Sequence, residues 1–267
     1  YLAKIEDEGT SVPENLAGNN PNSPMMEVNA YTSFILLRNK AGSGFSSDLS
    51  FLRTIFAHEF FHVIQNGYDA WEEIWMKEAT ATWIEDEVYD GENNNLRYLD
   101  FFSRKPWIPL DANQSECNLH WYGSWIFFRF LSEFYLSPNI VRDIWEKAVL
   151  YVDYYQSRKS FHAINHVLGD YGTDFTRIFR QFTLSNLYPA TEYSEGSLYP
   201  QIKRTGDAPG TYTRTTFLPR RSADYYRVSP NIVPQGVDAI DIKLTRTDPQ
   251  TVLGGQVITR SGETVVT

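Results

Sequence analysis

Apolar residues recur every three or four positions after Ser50, and this spacing predicts a helix. Ser50 is the expected N-cap and Gly67 the expected stop signal of this first helix. A second helix is predicted from about residue 71 to residue 89. The apolar positions of the two helices are Phe51, Leu52, Ile55, Phe56, Phe60, Val63 and Ile64 in the first, and Ile74, Trp75, Ala81, Ile84 and Val88 in the second.

Other elements follow from the same kind of pattern. Residues 28–38 are rich in aromatic and β-branched side chains and predict a strand, which we expect at the edge of a sheet beside a cleft. Residues 1–27 have a loop composition of Asn, Pro, Gly and Ser, so an irregular lead-in is expected. Further helices are predicted over residues 119–136, 138–152, 158–168 and 173–187.

The composition of the chain changes after Pro189, where Gly, Pro and Thr become frequent. Residues 237–245 alternate between apolar and polar side chains, and residues 255–266 have the pattern of two strands joined by a turn. The predicted fold class is therefore α+β. We expect a mainly helical domain with a small edge-strand sheet over residues 1–200, followed by a small all-β module over residues 201–267.

Charge and composition narrow the choice of function. The chain has 267 residues, with 24 Lys and Arg against 33 Asp and Glu, which gives a net charge of −9. This balance argues against a nucleic-acid partner, because phosphate binding needs clustered basic residues. Apolar runs fall far short of the roughly 18–20 residues that span a bilayer, so no transmembrane segment is predicted. The single cysteine, Cys117, is expected to be a passive thiol, and the oligomeric state stays open.

The chemistry is concentrated in the sequence His58-Glu59-Phe60-Phe61-His62, within the first predicted helix. Two histidines four positions apart on a helix lie on one face, with Cβ atoms roughly 5–6 Å apart, so both imidazoles can bind one metal ion. Glu59 is displaced from that pair and can bond a metal-bound water without replacing it. The motif therefore predicts a metal site with Glu59 as general base.

A catalytic zinc site usually takes three protein ligands, so a third ligand is required. The metzincin pattern would place it at Tyr68, which does not fit. Glu78 lies on the second predicted helix, where small residues follow it and allow a close antiparallel approach to the histidines. We expect Glu78 to be the third ligand, with Glu72 and Glu73 as the competing candidates.

His58-Glu59-Phe60-Phe61-His62 followed by Glu78 resembles the gluzincin metallopeptidases, the zincin group that includes thermolysin and the M1 aminopeptidases. The likeness covers roughly residues 28–187. It implies a zincin-like catalytic domain that uses Zn²⁺ to hydrolyse peptide or protein substrates. The thermolysin type has Asn and Asp where Lys77 and Thr82 stand here, so the pattern looks more like the M1-like families.

The resemblance also implies roles for other residues. Tyr122 is the first choice and His120 the second for the group that stabilises the oxyanion of the scissile carbonyl. Thr82, Glu85 and Asp86 are candidates to orient the histidine ligands. A secreted or extracytoplasmic location is expected by the same analogy.

Two other classes of function stay open at this stage. A degenerate zincin scaffold would act as a binding or surface protein without catalysis. A di-iron bundle could use Glu59 and His62 as a Glu-x-x-His unit, but a second such unit is not found in the sequence. The pair His162 and His166 lies in a helix that is expected to face a core through the apolar residues around it, so a second metal site is not expected there. The acidic stretch over residues 86–95 could bind calcium, but its spacing does not match an EF-hand loop, so a solvated turn is expected.

Overall fold

The two helices predicted to carry the metal site are present and pack against each other. Helix α1 spans Asp48–Asp69 and helix α2 spans Ile74–Val88. The N-cap of α1 is Ser47 rather than Ser50, because the Ser47 side chain accepts a hydrogen bond from the backbone N–H of Ser50. The turn between the helices thus starts and ends close to its predicted position.

The structure, a computed structural model, describes residues 9–14, 32–37, 47–112, 118–135, 137–151, 159–204, 206–208, 218–228, 257–258 and 265–266. Over these residues the protein is mainly helical, as predicted. The further helices are α3 (Leu96–Arg104), α4 (Asn118–Gly123), α5 (Trp125–Phe134), α6 (Asn139–Ala148), α7 (Lys159–Asp170), α8 (Phe175–Ser185) and α9 (Pro189–Glu192). Short 3₁₀ turns cover Asp90–Glu92, Val149–Tyr151 and Gly196–Leu198.

Two features of the helical part differ from the predictions. Helix α3 was not predicted, and the helix expected over residues 119–136 is divided into α4 and α5 at Ser124. The Ser124 hydroxyl donates to the carbonyl of His120 at 2.9 Å, which gives the chain a local alternative to the helical ladder. Gly123 is needed at this break, because a Cβ there would lie 2.7 Å from the carbonyl oxygen of Tyr98 on α3.

The strand predicted over residues 28–38 is confirmed as β2 (Thr32–Leu37), but it has a partner that was not expected. Strand β1 (Gly9–Glu14) pairs with it in antiparallel register, with Gly9 opposite Leu37 and Glu14 opposite Thr32. The prediction of an irregular lead-in is therefore wrong over residues 9–14. Pairing with a neighbouring strand outweighs the local loop signals there, and Thr10 and Val12 supply β-branched residues.

The C-terminal part contains two short strand pairs. Strand β3 (Gly206–Ala208) pairs in parallel with β4 (Tyr226–Val228), and β5 (Val257–Ile258) pairs in antiparallel with β6 (Val265–Val266). The strand and returning strand expected within residues 255–266 are thus confirmed at these positions. The predicted strand over residues 237–245 lies outside the described residues, so the all-β module stays a prediction.

A core rich in aromatic side chains packs against α2. Its largest fully buried side chains include Trp125, Phe127 and Phe128 of α5 and Trp145 of α6, each at most 2% exposed. Ala79 and Ala81 of α2 are completely buried, in agreement with a close approach of this helix to its neighbours. Among the helices of the described residues, none is long and apolar enough to span a membrane.

Candidate metal centre

The buried face of α1 is mostly polar from His58 onward, which is the reverse of the usual arrangement, whereas Phe51 and Ile55 are buried nearer the start of the helix. His58, Glu59 and His62 are each at most 8% exposed, whereas Phe56 and Phe60 on the outer face are 46% and 47% exposed. The apolar spacing therefore located the helix without showing which face is buried. Because buried polar groups cost free energy unless they are paired, this face requires partners on the neighbouring elements.

Three potential ligand atoms come together between α1 and α2. Nε2 of His58 lies 3.1 Å from Nε2 of His62. Oε2 of Glu78 lies 3.4 Å from Nε2 of His58 and 3.6 Å from Nε2 of His62. The structure thus brings Glu78 to the histidine pair, which is the arrangement expected for the third ligand.

The size of this triangle fits a zinc ion. Ligand atoms about 2.0–2.1 Å from a tetrahedral zinc lie about 3.3–3.4 Å from each other. The three observed separations, 3.1, 3.4 and 3.6 Å, bracket that value. Two imidazoles and one carboxylate are also a set of ligands that catalytic zinc sites use, with a fourth position left for water.

The ring of His58 is held by α2. Its Nδ1 lies 2.7 Å from Oε1 of Glu85, a carboxylate that can only accept a hydrogen bond when ionised. Nδ1 of His58 therefore carries a proton, and a metal ion would replace the second proton, on Nε2, and bind the lone pair there. Among the candidates for this orienting role, Glu85 is the residue that contacts a histidine ligand.

His62 is held by a longer chain of hydrogen bonds that the sequence did not reveal. Its Nδ1 lies 2.6 Å from Oε1 of Gln65, and Nε2 of Gln65 donates to the carbonyl of Lys77 and to Oγ1 of Thr80, both at 2.9 Å. A backbone carbonyl only accepts, so it fixes the amide orientation of Gln65. The amide oxygen then requires a proton on Nδ1 of His62, which again leaves Nε2 free for a metal.

This chain extends into the core of the protein. Oγ1 of Thr80 donates to the carbonyl of Met76 at 2.7 Å and accepts from Nε1 of Trp145 at 3.2 Å. Thr80 thus links Gln65 to α6. The sequence did contain a signal for the contact between His62 and Gln65. The glutamine follows the histidine by three residues, and that spacing puts both side chains on one helix face.

The electrostatics of the triangle favour a positive charge at its centre. Burial lowers the pKa of His58, but Glu78 and Glu85 outweigh this effect and raise it to about 10. Burial raises the pKa of Glu78, and His58 and His62 reverse that effect and hold it well below its usual range. Either a proton or a metal ion between the two helices would supply this positive charge.

Tyr122, the first choice for an oxyanion donor, lies beside this triangle. Its ring stacks on His58 with centroids 5.9 Å apart and on Tyr98 with centroids 4.8 Å apart. Burial raises the pKa of Tyr122, and the carboxylates of Glu78 and Glu59 raise it further. The hydroxyl therefore stays protonated at neutral pH, close to both the expected ligand and the expected base.

His120, the second choice, is placed elsewhere. It is 3% exposed and its ring stacks on Phe102 with centroids 5.2 Å apart. Burial lowers its pKa to about 4, so the ring is neutral. Within the described residues, His120 has no contact with the histidine pair of α1 or with Glu78.

The competing ligand Glu72 also points elsewhere. Its Oε1 accepts hydrogen bonds from Oγ of Ser160 at 2.9 Å and from the backbone N–H of Glu73 at 2.7 Å. Oε2 of Glu73 in turn accepts from the backbone N–H of Ser160 at 3.1 Å. Both glutamates therefore anchor the start of α7 and lie away from the metal triangle.

The histidine pair of α7 is not part of a group of three potential metal ligands within the described residues. Nδ1 of His166 lies 2.7 Å from the hydroxyl of Tyr151, and the ring of His162 stacks on the same tyrosine. The helix faces the core as expected, with Phe161, Ile164, Val167 and Leu168 buried, whereas His162 is exposed. The pair therefore contacts the 3₁₀ turn that precedes it in the described chain.

Comparisons with protein-family models, with curated proteins and with solved structures found no match to this chain.

Proposed function

We propose that the chain is a zinc-dependent peptidase of the gluzincin type. The observation that carries this proposal is the triangle of His58, His62 and Glu78, whose ligand atoms have the separations of a zinc tetrahedron. Glu59 follows the first histidine at the position that a general base requires. A zincin-like fold of the helical part, over residues 1–200, belongs to the same proposal.

In this proposal His58, His62 and Glu78 hold the metal, and Glu85 and Gln65 orient the two imidazoles. When bound, zinc lowers the pKa of a water molecule and polarises the scissile carbonyl. The ligand set supports zinc over a di-iron centre, because it contains one carboxylate where a carboxylate-bridged pair of irons needs several.

Glu59 acts as the general base. Its carboxylate is 7% exposed and lies close enough to Tyr122 to raise the pKa of that hydroxyl. One carboxylate oxygen accepts a proton from the attacking water. The same group then delivers that proton to the amine nitrogen that leaves when the peptide bond breaks.

Tyr122 stabilises the negative charge that develops on the scissile carbonyl oxygen. Stacking on both His58 and Tyr98 fixes its ring, so the hydroxyl is oriented before the substrate arrives. A preorganised donor of this kind stabilises the transition state more than the ground state. The location of His120 in the core supports Tyr122 over His120 for this role.

The substrate is a peptide or protein whose backbone adds to β2. This strand is tied to α1 by a hydrogen bond from Nδ2 of Asn66 to Oγ of Ser33 at 2.9 Å. Strand β1 takes one edge of β2, so an extended substrate would pair with the other edge. Pairing through backbone groups would make binding tolerant of substrate sequence. An extracytoplasmic location and a β module over residues 201–267 complete the proposal.

The test is cleavage of an unbiased peptide mixture by the zinc-loaded protein, read by mass spectrometry. Glu59→Gln should abolish cleavage while keeping stoichiometric zinc, because the base is lost and the ligands are not. Glu146→Gln, the same change at an exposed residue of α6, is the matched control and should cleave like the parent. Full activity in Glu59→Gln would refute the mechanism, and zinc binding without cleavage by the parent would favour a non-catalytic scaffold.

A further inference from the structure

A second group of carboxylates lies at the far end of α2. Oxygen atoms of Asp86, Asp90 and Glu195 all lie within 4.8 Å of one another. Asp86 is 2% exposed, Asp90 is exposed in the 3₁₀ turn after α2, and Glu195 comes from the segment after α9. The structure therefore joins the acidic stretch, which the sequence suggested was a solvated turn, to a residue more than a hundred positions away.

The described residues supply little positive charge to this group. Arg129 of α5 pairs with Asp86 at 3.1 Å, but it also pairs with Glu87 at 3.1 Å and with Glu133 at 2.8 Å. One guanidinium is thus shared among three carboxylates, while Asp90 and Glu195 add two more negative charges beside them. Like charges at this spacing repel each other unless a cation or a proton lies between them.

Tyr199 gives an independent indication of a ligand. Its side chain is 7% exposed, its ring packs against Trp125 and Tyr193, and its hydroxyl has no hydrogen-bond partner within the described part of the chain. Burial raises the pKa of Tyr199, and the charges of Asp86 and Glu195 raise it further against the effect of Arg129, so the hydroxyl lies near enough to this carboxylate group to be affected by its charge. A buried hydroxyl without a partner is costly and calls for an explanation.

We propose that Asp86, Asp90 and Glu195 form a calcium-binding site, with the hydroxyl oxygen of Tyr199 as a further ligand. Calcium takes six to eight oxygen ligands in flexible geometry, and carboxylates supply both the oxygens and the charge. Water can complete the shell on the exposed side, at Asp90. The ion would join the C-terminal end of α2 to the chain around residue 195.

A shared proton is the competing explanation for the same crowding. Burial raises the pKa of Asp86 to about 7, with Glu195 and Asp90 adding to the effect against the attraction of Arg129. A proton held between Asp86 and Glu195 would relieve the repulsion without any metal. It would leave the group with no affinity for calcium, so the two explanations differ in a direct binding measurement.

The experiment is run with and without added zinc, so that binding at the histidine site is separated from binding at the carboxylate group. Terbium(III) is the probe, because it replaces calcium at oxygen sites and emits when a nearby Tyr or Trp is excited, here Tyr199 and Trp125. Calcium is then added to displace it. We expect saturable emission from one site, with a calcium dissociation constant of about 10⁻³ M or tighter.

Two variants and one control decide the outcome. Asp90→Asn and Glu195→Gln should each weaken calcium binding by about tenfold or more, since affinity depends on ligand charge. Asp170→Asn changes an exposed aspartate of α7 in the same way and should bind like the parent. Absence of saturable binding, or weakening in neither or only one of the two variants, would overturn the proposal. The readout needs no peptidase activity, so it stands or falls apart from the proposed function.

Discussion

Nδ1 of His58 lies 2.7 Å from Oε1 of Glu85, and Glu85 stands seven residues after Glu78 on the same face of α2. In the proposed metal site, one helix face therefore supplies a ligand and also orients a second ligand on the neighbouring helix. The position of the proposed site depends on the register between α1 and α2 as much as on the identity of the histidines.

Replacing Glu85 tests this relationship. Glu85→Ala should lower zinc affinity about 10- to 100-fold, because His58 loses the acceptor that fixes its ring and its tautomer. Glu85→Gln should lose less, since the amide oxygen can still accept from Nδ1. Competition with a zinc chelator of known affinity measures both. Equal losses in the two variants would mean that the negative charge of Glu85 matters more than its hydrogen bond.

Gln65→Leu should weaken zinc binding to a similar extent. The variant removes the acceptor of His62 and the hydrogen bonds that Gln65 donates to the carbonyl of Lys77 and to Oγ1 of Thr80, so the protein should also lose about 1–3 kcal/mol of unfolding free energy. Chelator competition measures the zinc affinity, and urea unfolding measures the unfolding free energy. Gln201→Leu, at an exposed position, is the control, and unchanged zinc affinity in Gln65→Leu would separate this residue from the metal site.

Tyr122→Phe should lower kcat about 10²- to 10³-fold with little change in KM or in bound zinc. The reason is that the hydroxyl is required when negative charge develops on the substrate and is not needed as a ligand. Tyr98→Phe removes the hydroxyl from the ring stacked on Tyr122 and should keep most of the activity. A Tyr122→Phe enzyme with parental kcat would assign the oxyanion to another donor.

Stability should depend on pH through Glu72, which lies outside the proposed catalytic site. Burial raises its pKa from 4.5 to about 7, so the folded state holds a proton that the unfolded state has already lost. The stabilisation that this bound proton gives to the folded state is fully present below about pH 4.5 and is lost as the pH rises through about 7. Between pH 5 and pH 8, the unfolding free energy of the parent should therefore fall by up to about 3 kcal/mol relative to that of Glu72→Gln.

Urea unfolding of the two proteins across this range measures the difference, and other titrating groups cancel in the comparison. Glu146→Gln, at an exposed residue, should follow the parent at every pH. Parallel pH profiles for the parent and Glu72→Gln would show that Glu72 is ionised in the folded protein at neutral pH.

The triangle of His58, His62 and Glu78 was predictable because it depends on residue spacing within two neighbouring helices. Helical spacing places His58 and His62 on one face, and the small residues after Glu78 allow α2 to approach that face. Glu85 was one of three candidates for orienting a histidine, and the sequence could not choose among them. Thr82 and Asp86 lie on the same helix, but Asp86 pairs with Arg129 and Asn95 instead.

The features that were missed depend on contacts between distant parts of the chain. The pairing of β1 with β2 overrides loop-forming residues, and the role of Gln65 depends on the carbonyl of Lys77, which no side-chain pattern reveals. His120 and Tyr122 are two residues apart on one short helix, so they point in different directions. The sequence does not show which of them faces α1.

The proposed ligands (His58, His62 and Glu78) and the partners Glu85 and Gln65 all belong to one pair of helices that are consecutive in the chain. Contacts between residues close in sequence form with little loss of chain entropy, so they can form early in folding. The metal could therefore bind while the ribosome is still adding the later helices. Timing of metal uptake during synthesis would then be set by this helical hairpin, with Trp145 joining Thr80 only later.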